Sequence, residues 1–383
     1  MQVIGTNQQY AKSHNRGLVL RLICTNGGIT RQQITKSTGL TKMTTTNIVS
    51  GLMQNGLVTE TEAKNDNVGR NPAVLAISPS APKVIGVTVS RKKIDVVLSD
   101  LALGILEHRM EILDDEDNHS LLAKIVQLIA SIECDMNDVI GIGVASIGQW
   151  DIQQEKLISI VNFGHVSELN IGEELQKEFG RPVFVNNDMN AATMAEKLFG
   201  NGKDLTDFIY LGITNGIGAG IVTDGRMYQQ NSGLAGEIGH MGIDPNGKKC
   251  LCGNRGCLEL YASVPVMEQR LREKTGLDLS FEQFCQLPVT PDVNDIFVDV
   301  CEKIAYAMVS VVNLLNSQAI IIGSEGYYLP EIYIRYMEKV INEMKYSPME
   351  NVDVIKTAFA LNTSIYGSVC CVLNQVFSGN LAF

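Results

Sequence analysis

Apolar residues first recur at helical spacing between Asn15 and Cys24, with Leu18, Leu20, Leu22 and Ile23 on the repeat, and Gly27-Gly28 ends that segment. Thr30 is placed to cap a short second helix, ITRQQITKST, that stops at Gly39. Thr41 is placed to cap a third, TKMTTTNIVSGLMQNG. In the third helix Ile48, Val49 and Leu52 make one apolar face, while Lys42, Thr44, Thr45 and Asn47 crowd its opposite, N-terminal side. LVTETEA and AVLAIS then read as two strands around a loop that holds Gly69, Arg70, Asn71 and Pro72. Three helices and a two-stranded wing in that order predict a winged helix-turn-helix.

Beyond a short hinge, Pro79 to Pro82, the pattern changes to period two. VIGVTVS, IDVVLSD and ILEHRMEIL predict three closely spaced strands, followed by a helix over 118–133, the buried strand VIGIGVAS, a helix over 171–179, the strand PVFVNN and a helix over 189–199. Residues 207–228 return to strands. A long amphipathic helix spans 292–316, AIIIGS is a further strand, and the last twenty residues read as helical. Three strands followed by helix and strand alternation, begun twice, predict an α/β body of two related lobes with a ligand cleft between them. The expected division is a head over 1–82, a first lobe over 83–187 plus 364–383, and a second lobe over 188–363.

Charge sharpens that division. Over the 383 residues the net charge is −11, with 45% hydrophobic and 19% charged residues. Residues 1–82 hold eight Lys or Arg (Lys12, Arg16, Arg21, Arg31, Lys36, Lys42, Lys64 and Arg70) against Glu60, Glu62 and Asp66, a net +5, which leaves −16 for the rest. A basic module on an acidic body suits a head that approaches phosphates while the body stays off them. No run approaches the roughly 18 uninterrupted apolar residues of a membrane span, and MQVIGTNQQY lacks the basic-then-apolar order of a signal peptide. A cytoplasmic protein without membrane insertion is expected.

Three of the nine cysteines crowd together, while the other six scatter through apolar segments as buried thiols do. His240, Cys250, Cys252 and Cys257 are spaced H-x9-C-x-C-x4-C in the loop-like run HMGIDPNGKKCLCGNRGC. A Cys3His set fills a tetrahedral zinc with no open position, so a structural Zn2+ is expected. The competing reading is three incidental loop cysteines beside a core histidine. Against it stand Gly242, Gly247, Gly253 and Gly256, which supply the backbone freedom that wrapping an ion demands.

CLCGNRGCLE, preceded by LAGEIGHMGID, resembles the signature of the ROK family, which groups bacterial sugar kinases with sugar-responsive repressors. The resemblance runs from ITRQQITKSTGLTKMTTTNIVSGLMQNGLV through GRNPAVLAI, VNNDMNAATMAE, ITNGIGAGIV and NLLNSQAIIIG, nearly the whole chain. It implies a body of the two-lobed actin-like ATPase architecture. It also implies a sugar site made of Asn187, Asp188, Glu237, His240 and Glu259. Carboxylates accept bonds from vicinal hydroxyls, an amide both donates and accepts, and a histidine fixed by zinc through one nitrogen can offer the other to a sugar. Taken singly, Asp188 reads equally as a helix N-cap and Glu259 as a surface carboxylate.

The phosphate side departs from the family's kinases, which open the body with an acidic residue and a glycine-threonine run. Here Thr88 stands where the acid is expected, and Ser90, Arg91, Lys92 and Lys93 replace the turn; Thr214 and Asn215 alter the second loop. Kinase activity is therefore expected to be absent. In the head, Thr41, Lys42, Thr44, Thr45 and Asn47 are expected to enter a major groove and Arg70 to reach a minor groove. The expected function is a sugar-responsive regulator, a repressor of carbohydrate-utilisation genes. Its expected partners are a double-stranded DNA operator and a small sugar effector, and it would act as a homodimer or homotetramer. Two alternatives are a sugar kinase carrying a DNA-binding head and a regulator controlled by a protein partner.

Overall fold

The computed structural model describes residues 8–62, 73–151, 156–159, 165–166, 168–228 and 235–381. The head comprises α1 (Gln8–Thr25), α2 (Arg31–Thr38), α3 (Lys42–Gln54), β1 (Val58–Glu62) and β2 (Ala73–Ile77). Local chemistry sets these limits. The Thr30 hydroxyl accepts the Gln33 N–H (3.2 Å), the Gln33 side chain accepts the Thr30 N–H (2.8 Å), and Gly39 at φ 70° stops α2. The Thr41 hydroxyl caps α3 by accepting the Thr44 N–H at 3.1 Å. Ile34, Val49, Leu52, Leu57 and Leu75 are buried beneath the three helices and the β1–β2 ladder. Burial of such side chains stabilises by about 1.5–3 kcal/mol each.

The body continues with β3 (Lys83–Val89), β4 (Lys93–Ser99), β5 (Ile105–Ile112), α4 (Asn118–Ala130), β6 (Val139–Ser146), β7 (Gln149–Asp151), β8 (Lys156–Ser159), α5 (Ile171–Phe179) and β9 (Val183–Asn187). Then come α6 (Asp188–Phe199), β10 (Phe208–Ile213), β11 (Ile217–Thr223), β12 (Arg226–Met227), α7 (Glu259–Ala262), α8 (Val264–Thr275), α9 (Phe281–Gln286), α10 (Pro291–Leu315), β13 (Ala319–Ser324), α11 (Glu331–Met344), β14 (Asp353–Lys356) and α12 (Thr363–Ser378).

Two compact units result, one of Met1–Gly148, Glu155–Asn186 and Ser368–Phe383, the other of Gln149–Gln154 and Asn187–Gly367. Each holds a five-stranded sheet, in the order β5-β4-β3-β6-β9 and β12-β11-β10-β13-β14. In the first, β3 is antiparallel to β4 and parallel to β6; in the second, β10 is antiparallel to β11 and parallel to β13. The same arrangement thus occurs twice. In the second unit α8 to α11 bury one face of the sheet through Met267, Phe281, Phe297, Met308 and Tyr333. On the other face Met189 and Ala192 of α6 pack with Phe208, Tyr210 and Ile321.

In the first unit, α1 begins at Gln8, earlier than the apolar repeat indicates. Its added turns bury none of the side chains from Gln9 to Lys12, but a Cβ on Gly379 would lie 2.7 Å from the Ser13 carbonyl oxygen, so their backbone is covered. A Cβ on Gly17 would lie 2.4 Å from the Phe377 carbonyl oxygen, so α1 rests directly on the C-terminal end of α12. The head therefore meets the body through a helix contact as well as through the Pro79 to Pro82 connection.

Candidate functional site

The recognition helix exposes fewer of the expected residues than its composition suggests. Lys42 and Asn47 are exposed, and Thr44 is half-buried with its hydroxyl 2.9 Å from that of Thr41. Thr45 is different. It is 0% exposed, and its hydroxyl receives that of Thr35 on α2 at 3.1 Å. Its expected role as a base contact is corrected: Thr45 fastens α3 to α2. Met43, 75% exposed, and Thr46 share the outward side, where sequence reasoning did not place them. Arg70 lies outside the described residues.

In the second unit, the run after β12 folds back on itself around the cysteines. Cys250 N–H donates to Asn254 O (2.8 Å), Gly256 N–H to Lys248 O (2.8 Å) and Leu258 N–H to Met241 O (3.0 Å). Gly256 has φ 62°, and a Cβ there would lie 1.9 Å from the Asp244 carbonyl oxygen, so no other residue fits. This folding gathers the His240 ring nitrogen and the Cys250, Cys252 and Cys257 sulfurs within 4.8 Å of one another, a group able to hold a metal ion. Cys250 Sγ is 3.7 Å from His240 Nδ1, and Cys252 Sγ is 3.7 Å from Cys257 Sγ. Burial raises the Cys250 thiol and pushes that of Cys257 up to about 12, while a hydrogen bond from the Asn254 backbone lowers Cys252. A divalent cation would deprotonate all three.

The expected sugar ligands also belong to this unit. Glu237 and His240 begin and end one short 3-10 turn, with the His240 N–H donating to Glu237 O at 3.1 Å. Glu259 opens α7 and sets Oε1 3.3 Å from His240 Nδ1. Asn187, rather than Asp188, caps α6: its Oδ1 accepts the Met189 N–H at 2.9 Å, and the Asp188 Oδ1 accepts the same N–H at 3.0 Å. The next residue, Met189, lies against Gly212 and Gly218 of the β10–β11 hairpin, and Gly216 in its turn borders Glu259 Oε2. Gln149, which carries no motif that sequence reasoning could recognise, donates from Nε2 to Glu237 Oε1 at 3.3 Å.

The two segments expected to depart from the family's kinases are both tight turns. Ser90 Oγ donates to Lys93 O (2.9 Å) and accepts the Lys93 N–H (3.2 Å), forming a tight hairpin from β3 to β4. Thr88 is buried. Opposite it on β4, the buried Asp95 is engaged by Lys93 Nζ at 3.0 Å and His108 Nε2 at 2.9 Å. Thr214 N–H closes the second turn on Gly216 O at 2.8 Å.

Comparison with known proteins adds the following. The model of the ROK family matches residues 84–374, and that of the MarR family matches residues 12–67. The chain is 28% identical to the xylose repressor of Bacillus subtilis (strain 168) over 376 residues, 96% of this chain and 97% of the other. Among solved structures, a ROK family transcriptional regulator described as a homolog of the E. coli MLC protein superposes with a TM-score of 0.82 at 26% identity, covering 97% of this chain and 98% of the other. A ROK hexokinase from Thermus thermophilus superposes with a TM-score of 0.65 at 22% identity, covering 76% of this chain and 97% of the other, a likeness of fold.

Proposed function

This chain belongs to the ROK family, and from that premise we propose that it is a sugar-responsive transcription repressor that binds operator DNA through its winged helix-turn-helix and a sugar through its second unit, without phosphorylating that sugar. The observation that carries the reading is the joining, in one chain, of a head whose α3 exposes Lys42 and Asn47 to a body that retains Asn187, Asp188, Glu237, His240 and Glu259. Likeness to the xylose repressor and to the solved ROK regulator over nearly the full chain supports the same reading. Genes of carbohydrate utilisation are the proposed targets.

Loss of kinase chemistry is supported by the β3–β4 turn. Phosphate cradling needs backbone N–H groups that the ligand can approach, and magnesium needs a carboxylate. The Ser90 to Lys93 turn spends the Ser90 and Lys93 N–H groups internally, and the carboxylate facing Thr88 is already taken by Lys93 and His108. Asp188 can orient a sugar hydroxyl but has no phosphoryl group to direct it toward.

Zinc is the proposed metal. Bonds of about 2.3 Å to sulfur place tetrahedral thiolates about 3.8 Å apart. The 3.7 Å between Cys252 Sγ and Cys257 Sγ fits that figure. Its chemistry would be structural: all four positions are filled, and with Nδ1 on the metal the ring keeps Nε2 for a sugar hydroxyl. The Met241–Leu258 tie and Glu259 follow directly from the loop that the ion would hold.

One recognition helix touches few bases, so a homodimer or a larger symmetric assembly is proposed to read a near-palindromic operator. A thermal-shift panel of mono- and disaccharides tests the sugar site. One sugar should raise the melting temperature of the wild type and not that of Asp188→Asn; no response to any sugar would count against the reading.

A further inference from the structure

A groove of about 1020 Å3 runs between α1 and α3, lined by Gln9, Ala11, Lys12 and Asn15 on one side and by Thr44, Asn47 and Ile48 on the other. The polar α1 residues Gln9, Lys12 and Asn15 recur every three positions, so they form one stripe. Resting on the DNA-binding reading above, we infer that this groove seats the sugar-phosphate backbone of the operator strand bordering α3, with Lys12 neutralising a phosphate and the Gln9 and Asn15 amides donating to phosphate oxygens.

Three observations converge. The groove is continuous with the recognition face, because Thr44 and Asn47 belong to both. Its charge fits an anion: Lys12 is exposed, and no Asp or Glu occurs among the first 59 residues. The third concerns α1 itself. Gln9 to Lys12 lie on a helical extension that buries none of their side chains, whereas Val19, Leu20 and Ile23 further along are in the core. Packing of the head does not account for these turns. The close approach of Gly379, just past α12, to the Ser13 and His14 backbone instead holds the extension in place. Ile48 and Ala11 give the groove apolar surface on which deoxyribose can rest, and the amides that line it are the donor type that positions a duplex without reading its sequence.

The test is a titration of a random-sequence DNA duplex between about 50 and 200 mM salt, with wild type, Lys12→Ala, Lys12→Arg and Lys177→Ala, the last removing an exposed charge from α5. Removing one phosphate-neutralising cation should make the slope of log K against log salt shallower by about 0.9 per bound chain. Lys12→Ala should show that shallower slope and bind more weakly, Lys12→Arg should restore both, and Lys177→Ala should match the wild type. A Lys12→Ala protein equal to the wild type in affinity and slope overturns the α1 assignment alone. So does an equal loss in Lys177→Ala, which would make the effect one of net charge. Lys12→Ala that keeps its slope but loses its oligomeric state assigns the groove to a second copy and also overturns it. A wild type that binds no duplex overturns the DNA-binding reading itself.

Discussion

At the scale of single residues, burial separates side chains that composition treats alike. Thr44, Thr45 and Thr46 are chemically the same, yet Thr45 alone is fully buried and bonded to Thr35. Thr45→Ala should lower stability by about 1–2 kcal/mol, from a lost hydrogen bond and a small void. Asn47→Ala should leave stability within about 0.5 kcal/mol and reduce operator preference over random DNA by about 1–3 kcal/mol. Thermal unfolding and competition binding check the pair. The signal for Thr45 was present in the sequence, since it precedes Val49 and Leu52 by four and seven residues and so shares their face. Its hydroxyl concealed it. The cysteine cluster was legible for the opposite reason: metal chemistry restricts both residue type and spacing, and the loop closes as that restriction requires. Metal analysis should find one zinc per chain, and Cys252→Ser should lose both the ion and any sugar response, because His240 is proposed to serve both. Retention of a full equivalent of metal by that variant would contradict the assignment.

At the scale of elements, strands and capped helices were read closely from the sequence, because alternation and Thr caps are local. Contacts between distant elements were not. The length of α1 follows from a surface, the end of α12, that lies more than 350 residues away in sequence. The sequence pattern does not mark helices α8, α9 and α11, since their apolar faces make sense only over the sheet that β10 and β13 build. These packings also suggest how a bound sugar reaches the head. Asp188 opens α6, Ala191 of α6 touches Gly367 of α12, and the far end of α12 touches Gly17 of α1. A two-state shift of α12 would therefore be felt at both sites. Gly17→Ala places a Cβ 2.4 Å from the Phe377 oxygen and must displace one helix, at about 1–3 kcal/mol. It should reduce the effect of sugar on operator affinity, read within the variant as the ratio of its affinities with and without sugar. An unchanged sugar effect would remove α12 from the route.

At the scale of the whole molecule, the two-unit body with its repeated sheet order was legible, and so was the contrast between a head of net +5 and a remainder of −16. What sequence could not supply is the state of the β3–β4 turn, because only coordinates reveal that the Ser90 hydroxyl and the Ser90 and Lys93 N–H groups are spent within it. ATP consumption in the presence of many sugars should accordingly stay at background, and turnover near about 1 per second would restore the kinase reading. The central claim is that the sugar site governs the DNA site. A ligand shifts an equilibrium only by its differential affinity for the two states, and typical coupling is about 1–3 kcal/mol. The direct measurement is an operator titration, with and without the sugar that gives the largest thermal shift, on wild type, Asp188→Asn and Glu237→Gln. Sugar should weaken binding by the wild type about 5- to 150-fold, and both variants should bind the operator equally well in its presence and absence. Variants that respond to sugar as the wild type does would contradict the account.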